Sequence, residues 1–238
     1  MRLLAIVPAF NEAPSLPGVV AAIRAGLPGC DVCVVDDGST DGTAAAAAGL
    51  GATVLRCPLN LGIGGAVQLG YLWARARGYD AAVQVDGDGQ HDPAFLPALF
   101  APVLSGEADV AIGSRFLGEG GYRSTLLRRA GIRYLSGFLR LRCGVRVTDP
   151  TSGFRAAGRR AIALYADCYP PDYPEPEAIP LARRARLRIV EVPVRMAERR
   201  HGRSSISPWR SLYYLVKVSL ALLLLPGGRL VRNAVPKE

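Results

Sequence analysis

Over the first 115 residues, short apolar runs of strand character alternate with alanine-rich stretches of helical character. The candidate strands are Leu3–Val7, Asp31–Asp36, Ala52–Arg56, Ala81–Val85 and Asp109–Gly113. Helices are expected between them, at about Ser15–Ala25, Gly42–Leu50, Gly64–Arg77 and Pro93–Ser105. This alternation is the pattern of βαβ units, and it predicts an α/β fold with a mostly parallel sheet flanked by helices. In such sheets ligands collect beyond the carboxyl ends of the strands, so chemistry is expected in the residues that directly follow each one.

The second half has a different texture. A basic segment, Thr125–Arg142, precedes a turn-rich stretch, Thr148–Phe154, a proline-rich loop, Tyr169–Pro180, a strand-like run, Leu187–Val194, and an apolar C-terminal helix. At 100° per residue Arg129, Arg133 and Arg140 share one helical sector, while Leu127, Tyr134, Phe138 and Leu141 share another. A basic amphipathic helix of this kind suits anionic lipid or a phosphate group, and the alternative is the solvated face of an ordinary core helix. The apolar run Ser211–Leu225 has Lys217 near its middle. At about 22 Å it falls short of the ~30 Å hydrocarbon core, so an interfacial helix, or one packed on a membrane partner, is expected rather than a span.

Composition and charge narrow the classes. With 50% hydrophobic and 21% charged residues in 238, the chain has a globular balance and not that of a disordered or collagen-like protein. The net charge of +9 is divided unevenly: five basic and eleven acidic side chains lie up to residue 110, and 24 basic and nine acidic lie beyond it. The basic half suits nucleic acid, an anionic membrane surface or a phosphorylated molecule, and charge alone does not choose among them. Nucleic-acid binders join basic grooves to aromatic stacking platforms. Aromatics are only 7% here, and those in the basic half sit mostly at apolar helix positions, so no nucleic-acid partner is expected. The run Met1–Glu12 is too short in apolar residues for a secretory signal, and five scattered cysteines fit reduced thiols, so a cytoplasmic protein is expected. Cys30 and Cys33 form a lone C-x-x-C with no second pair or nearby histidine, which reads as packing.

The strand ends are acidic. Pro8-Ala-Phe-Asn-Glu12 follows the first strand, Asp36-Asp-Gly-Ser-Thr-Asp41 the second, Asp86-Gly-Asp-Gly-Gln-His91 the fourth and Gly113-Ser-Arg-Phe116 the fifth. Asp86 and Asp88, flanking Gly87, can offer hard oxygens to a divalent cation and leave room for diphosphate oxygens, with Gln90 adding a carbonyl. The other reading is a pair of aspartates in a glycine-rich turn. Asp36 and Asp37 can accept hydrogen bonds from a base or a ribose, and Asp41 is expected to cap the next helix. The stretch Leu61-Gly-Ile-Gly-Gly-Ala66 has Val67 where a dinucleotide fingerprint needs glycine, and there is no P-loop motif, so neither a dehydrogenase nor a P-loop NTPase is indicated.

In this order the motifs I-V-P-A-F-N-E, V-V-D-D-G-S-T-D, V-D-G-D-G-Q-H-D-P, G-S-R-F and D-P-T-S-G-F-R resemble family 2 glycosyltransferases of the GT-A fold, over residues 3–206. Within them the chain is most similar to the dolichol-phosphate mannosyltransferase-like branch. The resemblance implies a GT-A domain over residues 1–208, with a nucleotide-sugar half (1–115) and an acceptor half (116–208), followed by a membrane-associating helix and tail (209–238). It implies that Pro8, Phe10, Glu12, Val35 and Asp37 bind the nucleoside, that Asp86 and Gly87 contact the donor, and that Asp88 and Gln90 hold Mg²⁺ or Mn²⁺. Arg115 and Arg199 would contact phosphates. Many relatives have a lysine where Ser205 stands after Gly202, and Arg203 is the nearest charge to replace it. Asp149, Ser152 and Arg155 resemble the acceptor side.

The implied partners are a nucleotide-diphosphate sugar, a polyprenyl phosphate, the cytoplasmic membrane face and a small membrane protein. The implied reaction is direct displacement with inversion, with Asp88, Asp149 and Arg115 as its catalytic groups. A phosphate acceptor is already an anion, so neither His91 nor His201 is required as a base. A family member using a glycan hydroxyl acceptor is the enzymatic alternative, and a non-catalytic nucleic-acid- or membrane-binding module the other. Glu175 and Glu177, in the proline-rich loop, have either a structural or an acceptor-side role, with Glu177 beginning the following helix.

Overall fold

A computed structural model describes residues 1–118, 126–196 and 208–224. The chain runs β1 (Leu3–Ala9), α1 (Leu16–Gly26), β2 (Asp31–Asp36), α2 (Thr43–Gly49), β3 (Thr53–Arg56), α3 (Gly62–Ala76), β4 (Ala81–Gln84), α4 (Leu96–Leu104) and β5 (Val110–Ser114). It continues through α5 (Leu126–Cys143), β6 (Arg155–Gly158), α6 (Arg159–Asp167), α7 (Pro174–Arg184), β7 (Ile189–Pro193) and α8 (Pro208–Leu224). The seven described strands form one sheet in the order β3-β2-β1-β4-β6-β5-β7, and among them only β6 runs antiparallel to its neighbours. This is the GT-A architecture expected from the resemblance.

Side-chain alternation along the central strands divides the core into two layers. Ala5, Val7, Val32, Val34 and Val83 face one side, where they pack with Leu16, Val20 and Ile23 of α1 and Leu96, Leu99 and Phe100 of α4. Leu4, Ile6, Cys33 and Val35 face the other, against α3, α5, α6, α7 and α8. Cys30 and Cys33 are buried in these layers, and burial pushes both thiols up to about 12, which makes them packing groups at neutral pH.

The five strands of the first half lie where the apolar runs place them. The second half corrects the expectation. β6 and α6 had no sequence signal, and residues 169–180 are not a loop throughout, because α7 begins at Pro174 and not at Glu177. Pro174 and Pro176 stand in the first helical turn, where backbone N–H groups have no intrahelical partner, so proline costs nothing there. Glu175 and Glu177 complement the positive end of the helix, and Arg183 and Arg184 the negative end. α8 packs on the chain's own α5 and α7: Val218 and Leu222 are buried, and Lys217 pairs with Asp172. No described helix is long and apolar enough to cross a membrane.

Candidate active site

The ends of β1, β2 and β4 surround a cleft of about 350 Å³ lined by Pro8, Phe10, Glu12, Asp37, Asp86 and Asp88 among others. Phe10 is 49% exposed at its mouth. Asn11 adopts a left-handed backbone (φ 56°), a conformation asparagine tolerates better than most residues. Its amide donates to Ser39 Oγ (2.9 Å) and its side-chain oxygen accepts from Thr40 N (2.9 Å), which locks the turn after β1 to the turn after β2. Asp37 is buried, and its two carboxylate oxygens accept from Leu61 N (2.7 Å) and Gly62 N (3.0 Å) at the start of α3. The glycines that fail the dinucleotide pattern serve close packing instead. A Cβ on Gly64 would lie 2.1 Å from the Pro170 carbonyl, where α3 meets the segment leading to α7. Asp41 sits one residue before the N-cap of α2, which is Gly42, and accepts from Thr43 N (3.0 Å) and Ala13 N (3.1 Å).

The Asp86–Asp88 turn is held from three sides. Gln84 Nε2 donates to Asp86 Oδ1 (3.0 Å), and the Asp86 amide donates to His91 Nδ1 (3.0 Å). His91 Nε2 lies 3.5 Å from Asp86 Oδ2, and the buried ring stacks on Phe154 at 4.7 Å. Bonded through Nδ1 and packed on Phe154, His91 helps to orient Asp86. Asp88 Oδ1 accepts from Gln90 N (3.0 Å), and Ser15 Oγ, at the N-cap of α1, donates to the Gly87 carbonyl (2.7 Å). No described group of three His, Cys, Asp or Glu side chains gathers as a complete metal cage. Asp86 and Asp88 offer hard oxygen donors of the kind a Mg²⁺- or Mn²⁺-type ion takes, too few to enclose one by themselves.

The Thr148–Phe154 turn adjoins this rim. A Cβ on Gly153 would lie 2.9 Å from Gln84 Nε2 and 3.5 Å from Asp86 Oδ2, so the residue without a side chain lets the turn close on β4. Arg115, directly after β5, is bound by Asp149 through two bonds of 2.6 Å, and it donates to Thr151 Oγ1 (2.8 Å). Arg155 is buried, with Nε on the Ser152 carbonyl (2.7 Å) and a terminal nitrogen on the Pro150 carbonyl (2.9 Å), so it builds the turn from within. Its other terminal nitrogen and Ser152 Oγ are buried with no hydrogen-bond partner among the described residues. Glu175, in the first turn of α7, feels Arg155, Asp86 and Arg115; burial raises its carboxyl above the usual range, and the two arginines oppose that.

Pro8, Phe10, Glu12, Asp37, Asp86, Gly87 and Asp88 thus line one cleft, and Gln90 is tied to Asp88. Arg115, Asp149, Ser152 and Arg155 form the neighbouring turn. Val35 lies fully buried in the core beneath the rim, not on the cleft wall. Arg199, His201, Gly202, Arg203 and Ser205 lie outside the described residues. Sequence reasoning passed over Asn11, Ser15, Gln84, Thr148, Thr151 and Glu191. Each is an ordinary polar residue, and all but Gln84, which holds Asp86 two residues on, take their role from a partner far along the chain.

The family model described as "Glycosyl transferase family 2" matches residues 4–164. The chain is 37% identical over 216 residues to an undecaprenyl-phosphate mannosyltransferase of Micrococcus luteus, covering 87% of this chain and 88% of that one. It is 34% identical over 224 residues to a polyprenol monophosphomannose synthase of Mycolicibacterium smegmatis, covering 87% and 81%. Among solved structures it resembles glucosyl-3-phosphoglycerate synthase of Mycobacterium tuberculosis in complex with Mn²⁺ and UDP-glucose. That match has a TM-score of 0.70 and 27% identity, over 100% of this chain and 80% of that one.

Proposed function

The chain belongs to glycosyl transferase family 2, and from that premise we propose that it moves a hexose, mannose by analogy with both relatives, from a nucleotide-diphosphate sugar to a polyprenyl phosphate with inversion. The observation that carries this reading is the convergence of Asp37, Asp86 and Asp88 on one cleft, with the buried Arg115–Asp149 pair bound to the turn whose Gly153 closes on Gln84 and Asp86. Pro8, Phe10, Glu12 and Asp37 provide the apolar wall and polar edge for the nucleoside, and Asp86 and Gly87 face the donor. Asp88 and Gln90 would hold Mg²⁺ or Mn²⁺, which when bound supplies positive charge against the departing diphosphate. Arg115, pre-oriented by Asp149, adds fixed positive charge at the same rim, and such prearranged charge is usually the largest catalytic contribution. Arg199 and Arg203 keep the phosphate-contacting and acceptor-side roles that the resemblance gives them.

Two observations favour a phosphate acceptor over a glycan hydroxyl. His91, the only described histidine, is buried with Nδ1 bonded by the Asp86 amide and Nε2 turned toward the Asp86 carboxylate, and a phosphate needs orientation rather than deprotonation. On the outer surface, Tyr134 and Leu141 of α5 and Val216, Leu220, Leu223 and Leu224 of α8 are exposed, beside exposed Arg133, Arg140 and Arg142. Apolar side chains bordered by arginines fit an anionic bilayer surface, where the lipid acceptor resides. Peripheral attachment at the cytoplasmic face through α5 and α8 follows from this reading.

Thermal stabilisation by a panel of UDP- and GDP-sugars, each with and without Mn²⁺, tests the donor half. A cation-dependent shift confined to one nucleotide sugar supports it. A panel that leaves the melting temperature unmoved in every condition contradicts it.

A further inference from the structure

Glu191 lies on the edge strand β7, paired in register with Ile112 of β5, away from the donor cleft. Its carboxylate accepts three hydrogen bonds from one segment of the acceptor-side turn. Oε2 accepts from Thr148 N at 2.8 Å, and Oε1 accepts from Thr148 Oγ1 and from Asp149 N, both at 2.9 Å. Since the Thr148 hydroxyl donates its proton to Glu191, the 2.7 Å contact between Thr148 Oγ1 and Ser114 Oγ has Ser114 as donor. Ser114 Oγ accepts in turn from Phe116 N at 3.3 Å. The residues on both sides of Arg115 are therefore registered through Thr148 to Glu191, and Asp149, which grips Arg115, is fixed by the same carboxylate.

We infer that Glu191 is a positioning residue for the reaction: it holds the Thr148–Asp149 segment so that the Arg115 guanidinium faces the donor phosphates at a fixed angle. Glutamate is needed for a reason of donors and acceptors. Every group pointing at Glu191 is a donor, and an ionised carboxylate offers only acceptors. In Glu191→Gln either orientation of the amide turns its NH₂ onto a backbone N–H. Charge-assisted bonds to backbone amides are also the stronger kind, so the loop has one well-defined position. A misplacement of about 1 Å in a charge-stabilising group costs up to roughly 100-fold in rate.

This inference rests on the reading of Arg115 as a phosphate-facing group, and the experiment separates the two. Turnover, donor KM and melting temperature are measured for the wild-type chain, Glu191→Gln, Arg115→Gln and the double variant, with nucleotide-diphosphate mannose and undecaprenyl phosphate. Expected are a roughly 10- to 100-fold fall in kcat for Glu191→Gln with donor KM within about twofold, and no further fall when Glu191→Gln is added to Arg115→Gln. Multiplicative effects in the double variant, or a lowered melting temperature with unchanged kcat, overturn the positioning role while leaving Arg115 in place. Full turnover by Arg115→Gln overturns the reading beneath it. Should Glu191→Gln fail to fold, Thr148→Val removes the hydroxyl relay alone. It is expected to lower kcat in the wild-type background and not in Arg115→Gln, and equal losses in both backgrounds refute the inference.

Discussion

Asp149 closes both carboxylate oxygens on Arg115, each bond 2.6 Å long, with the two side chains 0% and 5% exposed. A buried pair of this kind does not stabilise greatly as a pair, but losing one member strands the other charge at a cost of about 3–5 kcal/mol. Asp149→Asn is expected to lower the urea midpoint accordingly. Arg115→Lys keeps the charge but not the planar fork that fits the carboxylate, and it is expected to lose both stability and turnover. Chemical unfolding with parallel activity assays checks this, and an unshifted midpoint in Asp149→Asn contradicts it.

Asp37 closes one side of the cleft in the same manner, through the backbone amides of Leu61 and Gly62 at the start of α3. Asp37→Ala takes the acceptor from the Leu61 N–H, a loss of about 1–3 kcal/mol if that group stays buried, while the Gly62 N–H keeps Asn60 Oδ1 at 2.9 Å. Weakened donor affinity by calorimetry, together with a lowered melting temperature, is the expected pair of results. Unchanged donor affinity would remove Asp37 from the nucleoside site.

Burial raises the Glu175 carboxyl above its ordinary value. The folded chain thus holds that proton more tightly than the unfolded chain does, so this group favours folding at acid pH and loses that contribution as pH rises above the ordinary glutamate range. Glu175→Gln mimics the protonated form. Its melting temperature is expected to exceed that of the wild type at pH 7, with the difference disappearing near pH 4. A variant less stable than the wild type at pH 7 contradicts the sign.

The exposed stripe of α8 gives a separate expectation, because Leu220 and Leu223 are half-exposed while Val218 and Leu222 hold the helix to the core. The double substitution Leu220→Glu and Leu223→Glu is expected to abolish co-sedimentation with anionic phosphatidylglycerol vesicles, with donor affinity preserved. Vesicle binding equal to the wild type's would take the membrane contact away from α8.

The five parallel strands and the acidic rim could be read from the sequence because both are local signals: an apolar run, then aspartates at its carboxyl end. β6 could not. Arg-Ala-Ala-Gly has no β-branched residue, and its place between β4 and β5 depends on pairings such as Ala82 with Ala157, which no local propensity encodes. α7 was hidden by its prolines, which mark a loop except in the first turn of a helix, where two of them stand. At the site, Asp149 and Arg115 were each singled out, but not their grip on one another. Glu191 carried no signal at all, since it meets Thr148 across 43 residues.

The most direct test of the account is transfer of label from nucleotide-diphosphate [¹⁴C]mannose to undecaprenyl phosphate, followed by organic extraction. With Mg²⁺ or Mn²⁺, the wild-type chain is expected to move label into the organic phase, and Asp88→Ala to lower that rate by on the order of 100-fold or more. Organic-phase label formed equally well by Asp88→Ala, or by the wild type in excess EDTA, would contradict the role given to the acidic rim.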